Sequence, residues 1–187
     1  MAHFILGHGI RKKGQGNPMW GLCSLLEEMG HKVDLIDYGY ILVPLDNMRA
    51  RRAFKRLATP DSIFVGYSNG GYAAATAIDN GAPCAGFVLV SAAMRADWEP
   101  PEGLSHRNFY NPADRWLSRA RKYRQVVNLL PHRWGSPLGW GEMGKTGGSH
   151  THNVKLPESA AHTFWKCDKS LELVLNGCLN VAEEAGV

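Results

Sequence analysis

The sequence predicts an α/β fold: a doubly wound, mainly parallel sheet of about six strands with helices on both faces. Three observations predict it. Short apolar runs alternate with amphipathic stretches of helical length, which is the pattern of consecutive βα units. The strongest runs, Ser62 to Gly66 and Ala85 to Ser91, are apolar almost throughout rather than at every second residue, as befits strands covered on both faces. A Gly-rich turn follows the first run, where the chain must reverse from strand into helix.

Taken in order, His3 to Leu6 is the first strand. The helix after its turn runs from about Pro18 to Met29, with proline in the first turn and Gly30 just past the end. Lys32 to Asp37 is the second strand. From about Asn47 to Ala58, Met48, Ala53, Phe54 and Leu57 recur at helical spacing against a basic opposite face, with Asn47 or Asp46 as cap. Ser62 to Gly66 is the third strand, and an Ala-rich helix from Gly70 to Asn80 follows. Ala85 to Ser91 is the fourth strand. Arg107 to Tyr110 and Asn153 to Leu156 complete the sheet, and an amphipathic helix from about Trp165 to Ala185 closes the chain. Between the last two strands, Pro131 to His150 combines Gly135, Gly139, Gly141, Gly144, Gly147 and Gly148 with Trp134 and Trp140. This reads as a structured surface loop of a length that compact domains keep for function or motion.

A chain of 187 residues, 44% hydrophobic and 20% charged, supports one core, so residues 1–187 are expected to form a single domain. The composition excludes a disordered chain. The net charge is +4, and the excess lies in two basic runs: Arg49, Arg51, Arg52, Lys55 and Arg56, then Arg115, Arg119, Arg121, Lys122 and Arg124. Their helical spacing makes them solvated outer faces, with a docking site for an acidic partner as the alternative. Solvated helical faces of this kind are not the grooves in which bases stack on aromatic side chains, so no nucleic-acid partner is expected. Cys23, Cys84, Cys167 and Cys178 form no C-x-x-C pair and read as reduced thiols. The first apolar run is about six residues long, shorter than a signal peptide core or a membrane span. A cytoplasmic location with no membrane span is the expectation.

The strongest local signal is Gly66-Tyr67-Ser68-Asn69-Gly70, a G-x-S-x-G pentapeptide placed between a predicted strand and a predicted helix. In that setting the serine occupies a tight strand-to-helix bend, and the flanking glycines leave room where side chains would collide with neighbouring elements. The serine hydroxyl then projects at the carboxyl edge of the sheet, where open α/β sheets bind ligands. The competing reading of Ser68 is a helix cap in an ordinary Gly-rich turn.

The pentapeptide, its position after the third strand and the His-Gly turn after the first strand resemble the α/β-hydrolase superfamily. GYSNGG is similar to the elbow of small lidless members such as cutinases. The resemblance implies a serine nucleophile, an acid and a histidine in that chain order, so both partners should follow Ser68. It places the acid after a strand beyond the elbow helix, which points to Asp114 in NFYNPAD, with Asp97 the earlier alternative. Asp114 can also cap a helix starting at Arg115. The resemblance places the histidine between the last strand and the C-terminal helix, which points to His162 in ESAAHTFWK, with His152 second. The N-P-x-D turn, the Trp-Gly loop and A-H-x-x-W also resemble certain phage and membrane-associated hydrolases of the superfamily. In those the residue before the histidine is commonly glycine, where this chain has Ala161.

The expected chemistry follows. Serine needs a base to attack a carbonyl at neutral pH, and His162 would take the Ser68 proton while Asp114 holds the imidazole tautomer. The backbone N–H of Asn69 would receive the developing oxyanion, joined by that of Gly9 or Ile10 from the turn after the first strand. His8 reads as a structural loop residue. His150 and His152 could ligate a metal with His132 or Glu142, but no ligand spacing supports it, and no cofactor is expected. Trp20, Tyr38, Tyr40, Tyr67, Trp134 and Trp140 could line an acyl pocket or simply pack. The expected function is that of a serine hydrolase acting on small carboxylic esters or thioesters, short acyl chains favoured. An amidase or polysaccharide deacylase with the same residues, or a non-catalytic binding module on this fold, are the alternatives.

Overall fold

The computed structural model describes residues 1–9, 17–38, 43–118, 141–160 and 162–187. Six strands, β1 (His3–Gly7), β2 (Lys32–Ile36), β3 (Ser62–Tyr67), β4 (Gly86–Val90), β5 (Ser105–Tyr110) and β6 (Asn153–Lys155), form one sheet in the order β2-β1-β3-β4-β5-β6. Every neighbouring pair is parallel. The helices are α1 (Trp20–Glu28), α2 (Val43–Leu57), α3 (Asn69–Asp79), α4 (Met143–Thr146) and α5 (Asp168–Glu184).

Successive residues of a strand point to opposite faces, and both faces of the central strands are apolar. Phe4 and Leu6 of β1, Ile63 and Val65 of β3, and Val88 and Val90 of β4 pack with Leu22 and Leu26 of α1 and Val174, Cys178 and Val181 of α5. Ile5, Phe64, Phe87 and Leu89 project the other way, onto Ala50 and Phe54 of α2 and the alanines of α3. This double cover explains why the runs read as continuous rather than alternating. Fully burying a side chain such as Phe4, Phe64 or Phe87 stabilises the fold by about 1.5–3 kcal/mol.

The strand order positions the site. The chain steps outward from β1 to β2, returns past β1 to β3, and continues on the other side. Winding therefore reverses between β1 and β3, and open α/β sheets leave a crevice beyond the carboxyl ends of such a pair.

Three local expectations need correction. Helix α2 begins at Val43, four residues before Asn47, so Asn47 is an interior helical residue rather than a cap. Pro44 falls in the first turn, where its missing N–H breaks no helical bond. The C-terminal helix is divided, with a 3-10 turn at Phe164–Lys166 followed by α5. The Gly-rich segment is not all surface: Met143 is fully buried, and α4 is strapped over the ends of β4 and β5. The Met143 and Gly144 N–H groups donate to the carbonyls of Met94 and Ala92, and the Asn111 N–H donates to Gly144. A Cβ on Gly144 would lie 2.1 Å from the Ser91 carbonyl carbon, so glycine there serves close backbone approach. Trp134, Trp140, His132 and the rest of 119–140 lie outside the described residues, as does most of the second basic run. Arg49, Arg52, Lys55 and Arg56 of the first run are exposed along α2. Among the described residues, no helix is long and apolar enough to cross a membrane.

Candidate active site

Strand β3 ends at Tyr67 and α3 starts at Asn69, leaving Ser68 alone to make the bend, at φ 52° and ψ −117°. Side chains avoid this backbone region, and a residue held there costs about 1–3 kcal/mol. Neighbouring backbone holds it. The Ser68 N–H donates to Val90 at 2.9 Å, and the Ser68 carbonyl accepts from Gly71 at 3.1 Å and Ala93 at 3.0 Å. The glycines around it allow α3 to lie against the strands. A Cβ on Gly66 would lie 2.5 Å from the Gly71 Cα, and one on Gly70 would lie 2.2 Å from the Gly7 carbonyl oxygen.

The loop after β5 delivers Asp114 to the same edge. Its carboxylate is fully buried. One oxygen accepts the N–H groups of Trp116 at 3.0 Å and Leu117 at 3.2 Å, so Asp114 caps the helical turn that starts at Arg115. The other lies 2.6 Å from the His162 Nδ1. The loop is tied down by Asn111, whose side chain accepts from the Ala113 N–H at 2.9 Å and donates to the Pro157 carbonyl at 2.8 Å.

His162 sits between the two 3-10 turns that follow β6, and its Nε2 lies 3.1 Å from the Ser68 Oγ. A carboxylate only accepts, so a proton on Nδ1 directed at Asp114 leaves Nε2 as acceptor for the Ser68 hydroxyl. From below, the Tyr67 hydroxyl donates to the His162 carbonyl at 2.7 Å. The Tyr67 ring lies 5.1 Å from the imidazole and packs against Phe164 and Trp165. Burial, reinforced by the nearby Asp114 charge, pushes the Tyr67 phenol well above its usual range, which keeps it a neutral donor. Asp114, His162 and Ser68 thus form one continuous hydrogen-bonded line.

Asn69 is the first residue of α3, so its N–H belongs to the positive end of that helix. Gly9 comes against Ser68 from β1: a Cβ there would lie 3.1 Å from the Ser68 Cβ and 2.9 Å from the Tyr67 ring. Ile10 lies outside the described residues. His8 is fully buried and stacked on Tyr38, with ring centroids 4.2 Å apart.

The competing candidates lie elsewhere. Asp97 forms an exposed ion pair with Arg95, which holds its carboxyl below the usual range. His152 precedes the first residue of β6, level with Arg107 in the middle of β5, 3.3 Å from Arg107 and beside the His106 ring, and its ring is engaged there rather than with Ser68. His150 faces Glu99 at 3.3 Å. Of the aromatics, Trp20 is exposed, Tyr38 and Tyr67 are buried beside the site, and Tyr40 lies outside the described residues. An open cleft of about 490 Å³ between β2 and α2 is lined by Asp34, Asp37, Arg49 and Arg56 and shares only Tyr38 with the site.

Sequence reasoning missed the bond of Tyr67 to the His162 carbonyl, the hold of Asn111 on the Asp114 loop, and the bonds of the Tyr38 hydroxyl and the Asn47 Oδ1 to the Asn69 side-chain amide. The signals were present but weak: Tyr67 occupies the variable second position of the pentapeptide, and Tyr38 follows the strand paired with β1.

Fold and site geometry together define a class, and the chain has the α/β-hydrolase fold. Among solved structures it is similar to mouse alpha/beta hydrolase domain-containing protein 10, with a TM-score of 0.66 at 12% identity over 97% of this chain and 90% of that one. The Bacillus subtilis ydeN gene product matches with a TM-score of 0.63 at 11% identity, over 98% of this chain and all of that one. The Francisella virulence factor BioJ matches with a TM-score of 0.63 at 12% identity, over 99% and 76% of the two chains. No protein-family model and no curated protein sequence matches the chain.

Proposed function

We propose that this chain is a serine hydrolase, acting as a single domain over residues 1–187, that cleaves small carboxylic esters or thioesters through an acyl-enzyme. The observation that carries the reading is the line from the buried Asp114 carboxylate through His162 to the Ser68 hydroxyl, with spacings of 2.6 and 3.1 Å.

In the proposed reaction, Nε2 of His162 takes the Ser68 proton as Oγ attacks the acyl carbon. The imidazolium is stabilised by Asp114, which keeps its own charge. The carbonyl oxygen becomes an oxyanion received by the Asn69 and Gly9 N–H groups. As the tetrahedral species collapses, the bond to the alcohol or thiol breaks and His162 delivers the proton to that leaving group. Water then repeats the sequence: His162 removes its proton, the acyl carbon takes the hydroxide, and Ser68 recovers its proton as the acid departs. Apart from the attacking water, each step uses groups of this chain. Short acyl groups are favoured because β4 and β5 are joined by residues 91–104, a connection without a large covering insertion. A cytoplasmic location is part of the proposal, supported by four unpaired cysteines and tested by fractionation.

The test is turnover of p-nitrophenyl acetate and labelling by a fluorophosphonate probe. Ser68→Ala should abolish labelling and lower turnover on the order of a thousandfold or more. Unchanged turnover in that variant would exclude the mechanism. His162→Ala should cost nearly as much, and the double variant little more, because the two residues act as one unit.

A further inference from the structure

Resting on that reading, we propose that Tyr38 is a positioning residue for the oxyanion hole: its single hydroxyl ties together the two backbone segments that supply the donors. Tyr38 lies just past the carboxyl end of β2, next to β1 in the sheet, and is almost wholly buried. Its hydroxyl donates to the carbonyl of His8 and accepts from the Asn69 side-chain amide at 3.3 Å. The second hydrogen of that amide goes to the Asn47 Oδ1 at 2.6 Å, which anchors the assembly to α2.

The consequence for Gly9 follows from peptide geometry. The unit joining His8 and Gly9 is planar and trans, so its N–H points opposite to its carbonyl. Holding the His8 carbonyl toward Tyr38 therefore aims the Gly9 N–H away from Tyr38, at a residue so close to the bend that a Cβ on it would lie 3.1 Å from the Ser68 Cβ. The next carbonyl is held as well, since the His8 Nδ1 donates to the Gly9 oxygen at 2.5 Å. The His8 ring lies flat on the Tyr38 ring, 3° from parallel, so neither ring can turn without the other. On the far side, Tyr38 and Asn47 hold the side chain of Asn69, whose own N–H is the other donor. An oxyanion hole stabilises charge only if its donors are aimed before the charge develops. A glycine beside the nucleophile has no side chain with which to hold itself, and Tyr38 supplies that hold from the neighbouring strand.

Tyr38→Phe in the full chain tests this, because it keeps the ring stacked on His8 and removes only the hydroxyl. With p-nitrophenyl acetate, kcat should fall about tenfold to a hundredfold, less than or near the loss of a whole oxyanion donor, while KM stays within about twofold. Inhibition by phenylboronic acid, whose adduct on a serine places a negative oxygen in the same hole, should weaken by a comparable factor. The pH dependence of kcat/KM should keep its midpoint, since the base is untouched. A merely structural role would instead move KM, the pH midpoint and the melting temperature together, and that pattern overturns the proposal. So does a kcat within about twofold of the parent, or a fall in kcat with boronate affinity retained. Should Tyr38→Phe not fold, Asn47→Ala, which removes the anchor of the Asn69 amide, is read by the same criteria. If the parent itself has no Ser68-dependent esterase activity, the proposed function fails and this inference with it; that outcome shows before any change at Tyr38.

Discussion

The backbone at Ser68 permits a test that separates strain from chemistry. Ser68→Ala and Ser68→Gly both remove the hydroxyl and its contact with the His162 Nε2, so both should be equally inactive, and that loss cancels between them. They differ in the bend. At φ 52° and ψ −117° alanine retains the steric cost of about 1–3 kcal/mol, whereas glycine adopts this region freely but loses roughly 0.5–1 kcal/mol more conformational entropy on folding. The balance favours glycine by about 1 kcal/mol, which for a chain of this size corresponds to a rise in Tm of about 2–4 °C over Ser68→Ala. Circular dichroism melts of the two proteins in one buffer measure it. A Ser68→Gly protein melting at or below Ser68→Ala would show that the bend stores no strain.

Three further outcomes are expected. Asp114→Asn keeps an oxygen for the Trp116 and Leu117 N–H groups, so its stability should be close to that of the parent, while turnover falls by about 10⁴ as the imidazole takes the wrong tautomer; Asp114→Ala should also lose about 1 kcal/mol as the cap disappears, and equal denaturation midpoints for the two would refute the double role. Gly70→Ala drives a Cβ to 2.2 Å from the Gly7 carbonyl oxygen, a backbone clash that should cost about 3 kcal/mol or more, and a Tm within about 2 °C of the parent would contradict the packing of α3 on β1. Burial raises the thiols of Cys23 and Cys84 to about 11, whereas bonding to Ser170 lowers that of Cys167. Thiolate is the reactive form and grows as pH rises toward the pKa, so iodoacetamide at pH 7.5 should modify Cys167 first by peptide mass spectrometry; Cys84 reacting first would refute that ordering.

Much of this molecule is local and therefore readable along the chain. A strand covered on both faces must be apolar at nearly every position, and a bend with helix packed on strand must be glycine where backbones touch, as at Gly66 and Gly70. Those demands fall on consecutive residues, so the six strands and the elbow at Ser68 could be found from the order of residue types. Asp114 could be read as a cap for the same reason, since a cap concerns only the next three residues.

What lies beside what was decided by strand order and register. His152 and His162 look alike as letters near the last strand, yet the parallel sheet sets His152 at the start of β6 beside Arg107 and brings His162 past its carboxyl end to Ser68. Tyr38, Asn47 and Asn69 belong to three separate elements, and nothing in any one segment marks them as partners. Their bonds form only after hydrophobic burial has set β2 beside β1 and laid α2 against α3. Non-directional apolar contact leaves its mark on composition, whereas a hydrogen bond between distant segments exists only in the assembled geometry.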